Sequence, residues 1–276
     1  MQIEEFQFNS TSKVTNYAVE WKHPDAKAVV CLVHGLGEHC RRYDHMATYF
    51  ANRGYAMIGF DHAGHGRTEG TRGHGTMDGL YNGIELLLQQ ASERYPSKPI
   101  FLYGHSMGGN LVLNYVLRKQ PQGIKGVITT GAWIRLGEEP PKLLETIGRL
   151  LKAVLPSMGR PNELDANMIS SVKEEVNKYV NDPLVHDRIS FELGISLLDA
   201  GRWLDQYEGT IGIPALIMHG AADQITSPEG SRQLAERLKG QVTFKAWEEL
   251  YHEIHNEREK EAVFDFTLDW VLMIND

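Results

Sequence analysis

The chain has 276 residues and a formal net charge of −8, which suits one large domain or one domain carrying an insertion. Hydrophobic residues make up 42% and charged residues 23%, the balance of an ordinary globular protein, and no basic stripe invites nucleic acid. The two cysteines, Cys31 and Cys40, do not indicate a disulfide framework and lack metal-site spacing.

The chain starts MQIEEFQFNS. It has no basic start followed by an apolar block, so no signal peptide is expected. No run of about 18 apolar residues occurs, so no spanning helix is expected either. These features together lead to an expected cytoplasmic location. IEEFQF and VTNYAVEW alternate as an antiparallel hairpin at a sheet edge would. Short, nearly continuous apolar runs follow: AVVCLV (28–33), YAMIGF (55–60), PIFLYG (99–104), GVITTG (126–131) and PALIMHG (214–220), with VTFKAW (242–247) a weaker, alternating candidate. Runs buried on both faces mark a parallel sheet covered by helices. The helical patterns fall at 41–53, 76–94, 106–119, 228–239 and 257–272. The expected fold is α/β, mostly parallel, with helices on both faces.

From about 132 to 205 the rhythm breaks, leaving helical patterns and prolines without a convincing strand. The expected organisation is a core of residues 1–131 and 206–276 with a helical cap inserted at 132–205. Such a cap would cover the carboxyl edge of the sheet, where open α/β sheets bind ligands.

FLYGHSMGGNLVLNYVLRK reads as strand, turn, helix, with Gly-x-Ser-x-Gly spanning Gly104 to Gly108. This is the setting of a nucleophile elbow, in which small neighbours permit a tight turn that exposes the serine. Ser106 is the candidate nucleophile. Backbone N–H groups at the start of the next helix face developing negative charge. A second donor should come from the loop after an earlier strand, and HGLGEH (34–39) follows AVVCLV directly. The oxyanion donors are assigned to the N–H groups of Leu36 and Met107. The acid and base should follow in chain order. Asp223 sits just past PALIMHG, whereas its rivals Asp199 and Asp205 lie in the helical insertion. EELYHEIHNE offers His252 and His255; His252, a few residues after VTFKAW, is the favoured base. An imidazole is needed because a serine hydroxyl is a poor nucleophile until a neighbour accepts its proton. His62, His65 and His74 lie in a glycine-rich loop whose spacing matches no metal site. No metal and no organic cofactor are expected.

The stretches HGLGEHCRRY, FDHAGHGRTEG, GHSMGG, NDPLVHD, HGAADQIT and YHEIHNE together resemble the monoacylglycerol lipase (monoglyceride lipase) and lysophospholipase group of α/β-hydrolases. The resemblance runs from residue 34 to the last helix. It implies Ser106, Asp223 and His252 as the triad, and a polar pocket of Glu38, Arg42 and His255 for the glycerol end of the substrate. A plain salt bridge between Glu38 and Arg42 is the alternative use of that pair. The implied reaction is cleavage of monoacylglycerol to glycerol and fatty acid, with a lysophospholipase or a short-to-medium-chain carboxylesterase as rivals and a catalytically silent ligand receptor as the reading from another class. The expected partner is a small lipid ester.

The stretch PPKLLETIGRLLKAVLPSMG (140–159) carries one apolar stripe at helical spacing. Leu143, Leu144, Ile147 and Leu151 are assigned to an acyl tunnel in the cap, with part of the stripe available for transient contact with a membrane surface. Packing of the stripe on the sheet domain is the simpler alternative.

Overall fold

In the computed structural model, residues 2–10 and 14–275 are described. An eight-stranded sheet runs β1 (Gln2–Asn9), β2 (Thr15–Lys22), β4 (Ala56–Phe60), β3 (Val29–Val33), β5 (Ile100–His105), β6 (Ile124–Thr130), β9 (Ala215–Gly220), β10 (Val242–Trp247) across its width. The first two strands pair antiparallel at the edge, β2 pairs antiparallel with β4, and the remaining pairs are parallel. β3, β4, β5 and β9 are buried at every position, which explains their unbroken apolar runs. β10 is only half-buried along its length because it is the far edge.

Helices α1 (Asp44–Ala51), α2 (Met77–Arg94), α3 (Met107–Lys119), α7 (Pro228–Arg237) and α8 (Lys260–Asn275) connect or cover the strands. Local chemistry sets their starts: Thr76 Oγ1 accepts the Gly79 N–H ahead of α2, and Ser227 Oγ accepts the Gly230 N–H ahead of α7, which opens on Pro228. Two apolar cores form, one on each face of the sheet. α1 starts later than its sequence pattern indicated, because Cys40–Tyr43 form a 3₁₀ turn in front of it.

Between β6 and β9 lie α4 (Lys142–Val154), α5 (Lys173–Asn181) and α6 (Phe191–Gln206). No strand was expected in this segment, yet β7 (Gly159–Pro161) and β8 (Arg188–Ser190) pair antiparallel. Strands of three residues, one containing proline, are too short to produce a readable period. This segment is tied to the loops at the carboxyl edge of the sheet: His186 N–H donates to Gly37 O at 2.9 Å, Ser190 N–H to Gly73 O at 2.9 Å and Glu253 N–H to Ile169 O at 2.7 Å.

β3 has β4 on one side and β5 on the other. The loops leaving β3 and β5 therefore diverge at a topological switch point, where a crevice opens.

Candidate active site

Ser106 lies between the last residue of β5, His105, and the first of α3, Met107, with φ 54° and ψ −115°. That left-handed φ is costly for a residue with a side chain. Three backbone bonds over-determine it: Ser106 N–H donates to Thr130 O, while Ser106 O accepts from Asn110 and Trp133 N–H, each at 3.0 Å. The flanking glycines are needed for close approach. A Cβ on Gly104 would lie 2.4 Å from Gly108 O, and one on Gly108 would lie 2.0 Å from Val33 O.

The loop after β3 lies against this turn: a Cβ on Gly35 would stand 3.3 Å from Ser106 Cβ. Two buried side chains fix the loop. His34 Nδ1–H donates to Gly35 O at 2.7 Å, and its Nε2 accepts the His62 N–H at 3.0 Å. Glu38 Oε1 accepts the Gly35 N–H at 2.6 Å. Leu36 thus lies on a pinned loop that lines the same cavity as Ser106. Met107 is the first residue of α3, and the first N–H groups of a helix have no intrahelical acceptor.

Asp223 follows β9 with its carboxylate buried. Oδ1 accepts the N–H groups of Ile225 at 2.7 Å and Thr226 at 3.1 Å. Oδ2 accepts His252 Nδ1–H at 2.7 Å and His219 Nε2–H at 2.9 Å. Burial alone would raise its pKa, but the charge of His252 and these hydrogen bonds hold it far below the usual carboxylate range. For His252, burial works against the charged form, yet Asp223, with lesser help from Glu253 and Glu38, raises its pKa. With Nδ1–H committed to Asp223, the remaining proton-accepting atom of His252 is Nε2. Ser106 and His252 line one cavity of about 920 Å³, a size common for small-molecule sites. The structure therefore brings Ser106, Leu36, Asp223 and His252 together. Their chemistry suits attack on a carbonyl, with proton transfer through a held imidazole.

The expected polar pocket needs correction. Only Glu38 of its three members lines the cavity. Arg42 is nearly buried, bonded to Glu38 at 2.7 Å and to both oxygens of Glu253 at 2.6 and 2.7 Å, with its guanidinium 4.7 Å from the Tyr179 ring centre. His255 is fully buried, stacked on Tyr43 at 4.6 Å and edge-on to His105 at 4.7 Å. It sits in the 3₁₀ turn Ile254–Asn256, which directs it into the protein and leaves Glu253 to face the cavity. Burial opposes charge on Glu253, but Arg42 draws its pKa down to about 2. Burial raises that of Glu38, partly offset by Arg42 and reinforced by Glu253. Glu253 and Tyr179, both in contact with Arg42, are among the cavity residues that sequence reasoning missed. Glu253 adjoins the candidate base, and that adjacency was the available signal.

The expectation for α4 also needs correction. Leu144 and Gly148 line the cavity, whereas Leu143, Ile147 and Leu151 do not. The reason lies in the polar face of α4. Glu145 pairs with Arg202 at 2.6 Å, Lys152 Nζ donates to Ser196 Oγ at 2.7 Å, and Arg149 pairs with Asp199, all toward α6. Drawn to α6 by its charges, α4 turns its stripe outward: Leu143, Leu150 and Val154 are 71%, 66% and 69% exposed. Ile195 and Leu198 of α6, with Ile189, supply much of the apolar cavity wall.

His62 and His65 pack against His34 and each other, and His74 Nδ1 meets Ser190 Oγ at 3.0 Å. Among the described residues, one group could gather ligand atoms for a metal ion: His105, Glu253 and His255, within 4.8 Å of one another. Its carboxylate is already held by Arg42 and by Asn256 Nδ2–H, and a guanidinium beside the group disfavours a cation there.

Comparison with known proteins gives a consistent result. The Hydrolase_4 family, described as serine aminopeptidase S33, matches residues 24–259. An uncharacterized abhydrolase domain-containing protein of Dictyostelium discoideum is 36% identical over 88% of this chain, which spans only 26% of that protein. The monoacylglycerol lipase of Mycolicibacterium smegmatis is 31% identical over 93% of this chain and 92% of its own length. The crystal structure of Paleococcus ferrophilus monoacylglycerol lipase superimposes with a TM-score of 0.85 at 30% identity, covering 99% of this chain and all of that one.

Proposed function

The chain belongs to the Hydrolase_4 family of α/β-hydrolases, and on that premise we infer that it is a serine ester hydrolase cleaving monoacylglycerol to glycerol and free fatty acid. Ser106 Oγ attacks the ester carbonyl while His252 Nε2 takes its proton. Asp223 holds the imidazole and offsets its charge. The N–H groups of Leu36 and Met107 receive the oxyanion, where each such donor is worth roughly 10²–10³ in rate. His252 then protonates the departing glycerol oxygen. Water, activated by the same base, splits the acyl-enzyme. One observation carries the reading above the others: a serine held at positive φ shares a cavity with an imidazole bonded at 2.7 Å to a buried carboxylate.

Residues 132–205 act as the cap in this reading. Glu38, Glu253 and Tyr179 meet the glycerol hydroxyls, while Leu144, Ile189, Ile195 and Leu198 meet the acyl chain, a division supported by their place on the cavity wall. No helix among the described residues is long and apolar enough to cross a membrane. The outward stripe of α4 supports transient contact of the cap with a lipid surface.

The test is a series of glycerol monoesters of increasing chain length set against lysophosphatidylcholine, together with fluorophosphonate labelling. Ser106→Ala should lose both labelling and turnover, the latter by about 10⁴-fold or more. An Ala variant that hydrolyses at the unmodified rate would refute the reading. Preference for lysophosphatidylcholine over every glycerol ester would move the substrate assignment to a lysophospholipase.

A further inference from the structure

His219, near the end of β9, has no part in the scheme above, yet it is fully buried and both its ring nitrogens are partnered. Nε2 lies 2.9 Å from Asp223 Oδ2, and Nδ1 lies 2.7 Å from Ser231 Oγ on α7. A carboxylate oxygen only accepts, so Nε2 carries the proton and, in the neutral ring, Nδ1 accepts from the Ser231 hydroxyl. Asp223 Oδ2 therefore lies between two imidazole N–H donors, His252 at 2.7 Å and His219 at 2.9 Å, with the Thr226 hydroxyl, which also reaches Gly131 O at 3.0 Å, 2.9 Å away as a neutral third partner.

We propose that His219, oriented by Ser231, is a positioning residue that holds Asp223 and shares its Oδ2 with His252, thereby limiting the basicity of the catalytic imidazole. The proposal rests on the triad reading above. Its logic is electrostatic. Negative charge on Oδ2 that is drawn toward His219 is not available to stabilise the His252 imidazolium, and both donors act in a buried, weakly screened setting. The other titratable groups around His252 are Glu253, Glu38, His105 and His255. None of these shares Oδ2 of Asp223. Two backbone N–H groups fix Oδ1 independently, so loss of His219 changes the load on Oδ2 without freeing the carboxylate.

The test compares His219→Leu, His219→Gln and Ser231→Ala. The first removes the donor. The second places an amide N–H near the Nε2 position, and the third lets the His219 ring choose its other tautomer. Two readouts are taken: the pH dependence of kcat/KM on a soluble short-chain ester, and titration of His252 by NMR with labelled histidine in a Ser106→Ala background, which needs no activity.

For His219→Leu, the expected result is an acid limb and a His252 titration moved up by about one pH unit, the scale of one charge-assisted hydrogen bond. His219→Gln should return most of the way to the unmodified profile, and Ser231→Ala should shift in the same direction as Leu by less. An unchanged or downward titration in His219→Leu, or an equal shift in Leu and Gln variants, overturns the proposal. If His219→Leu fails to fold, Ser231→Ala decides it: an upward shift supports, none overturns. An unmodified protein without esterase activity or fluorophosphonate labelling would sink the functional reading, while the NMR titration would still report on the His219–Asp223–His252 coupling.

Discussion

Glu38 Oε1 accepts the N–H of Gly35 at 2.6 Å, so a carboxylate expected to meet the substrate's head group also fixes the loop that carries the Leu36 N–H. The same oxygen accepts the Tyr43 hydroxyl at 2.8 Å. Glu38→Ala should therefore slow hydrolysis of an ester with no glycerol group, such as p-nitrophenyl acetate, by roughly 10- to 100-fold as one oxyanion donor loses its place. A loss confined to glycerol esters would mean that Glu38 serves the head group alone.

Arg42 is bonded to both Glu38 and Glu253. Removing it leaves two buried carboxylates without their partner, a change that costs about 3–5 kcal/mol in buried pairs. Arg42→Met should lower the thermal midpoint by several degrees, measured by calorimetry. An unchanged midpoint would show that water or a rearranged side chain replaces the guanidinium.

The elbow glycines admit no side chain. A Cβ on Gly108 would lie 2.0 Å from Val33 O, in backbone that cannot yield cheaply. Gly108→Ala should give little folded protein, or lose more than about 3 kcal/mol of stability by urea unfolding, beyond the ordinary range of point changes. Wild-type stability in this variant would contradict the described approach of α3 to β3.

The outward stripe of α4 makes a separable prediction. Leu143→Ser, Leu150→Ser and Val154→Ser together should weaken flotation with phospholipid vesicles, since each apolar side chain entering lipid contributes about 1.5–3 kcal/mol. Turnover of a soluble short-chain ester should stay unchanged, because none of the three lines the cavity. Leu144→Ser should do the opposite, reducing long-chain turnover first. Equal vesicle binding with and without the stripe would remove the membrane role.

Acid should destabilise the protein through its buried histidines. Burial lowers the pKa of His34 and His105 to about 3, and those of His62, His65 and His255 well below the ordinary value. In the unfolded chain each titrates near 6.5. Stability is therefore complete above about pH 6.5 and falls as pH drops toward 3, because the unfolded state takes up protons first. For His34 and for His105 the cost is on the order of 2 kcal/mol each at pH 5 by this linkage. His252 runs the other way, since its raised pKa favours the folded state when protonated. The thermal midpoint should fall clearly between pH 7.5 and 5. A flat profile would mean that these rings are hydrated or paired in solution.

The parallel strands, the elbow and the order of Ser106, Asp223 and His252 were all legible in the amino-acid sequence. Burial on both faces leaves continuous apolar runs, and a tight strand-to-helix turn leaves glycines at fixed spacing, so both are written locally. Tertiary structure alone decided which way side chains face when several chemistries compete. His252 and His255 are three residues apart in one loop, but a single 3₁₀ turn sends His255 into the core beside Tyr43 and leaves Glu253 at the cavity. The α4 stripe was legible as a stripe, but not its direction. An apolar face says only that it seeks something other than water, and the charges of Glu145, Arg149 and Lys152, answered from α6, turned it outward. Likewise nothing in PALIMHG distinguished His219 from a core residue until β9, α7 and the loop after β9 met around Asp223. Local patterns record burial and backbone strain, whereas partners distant in sequence choose the orientation of each polar group.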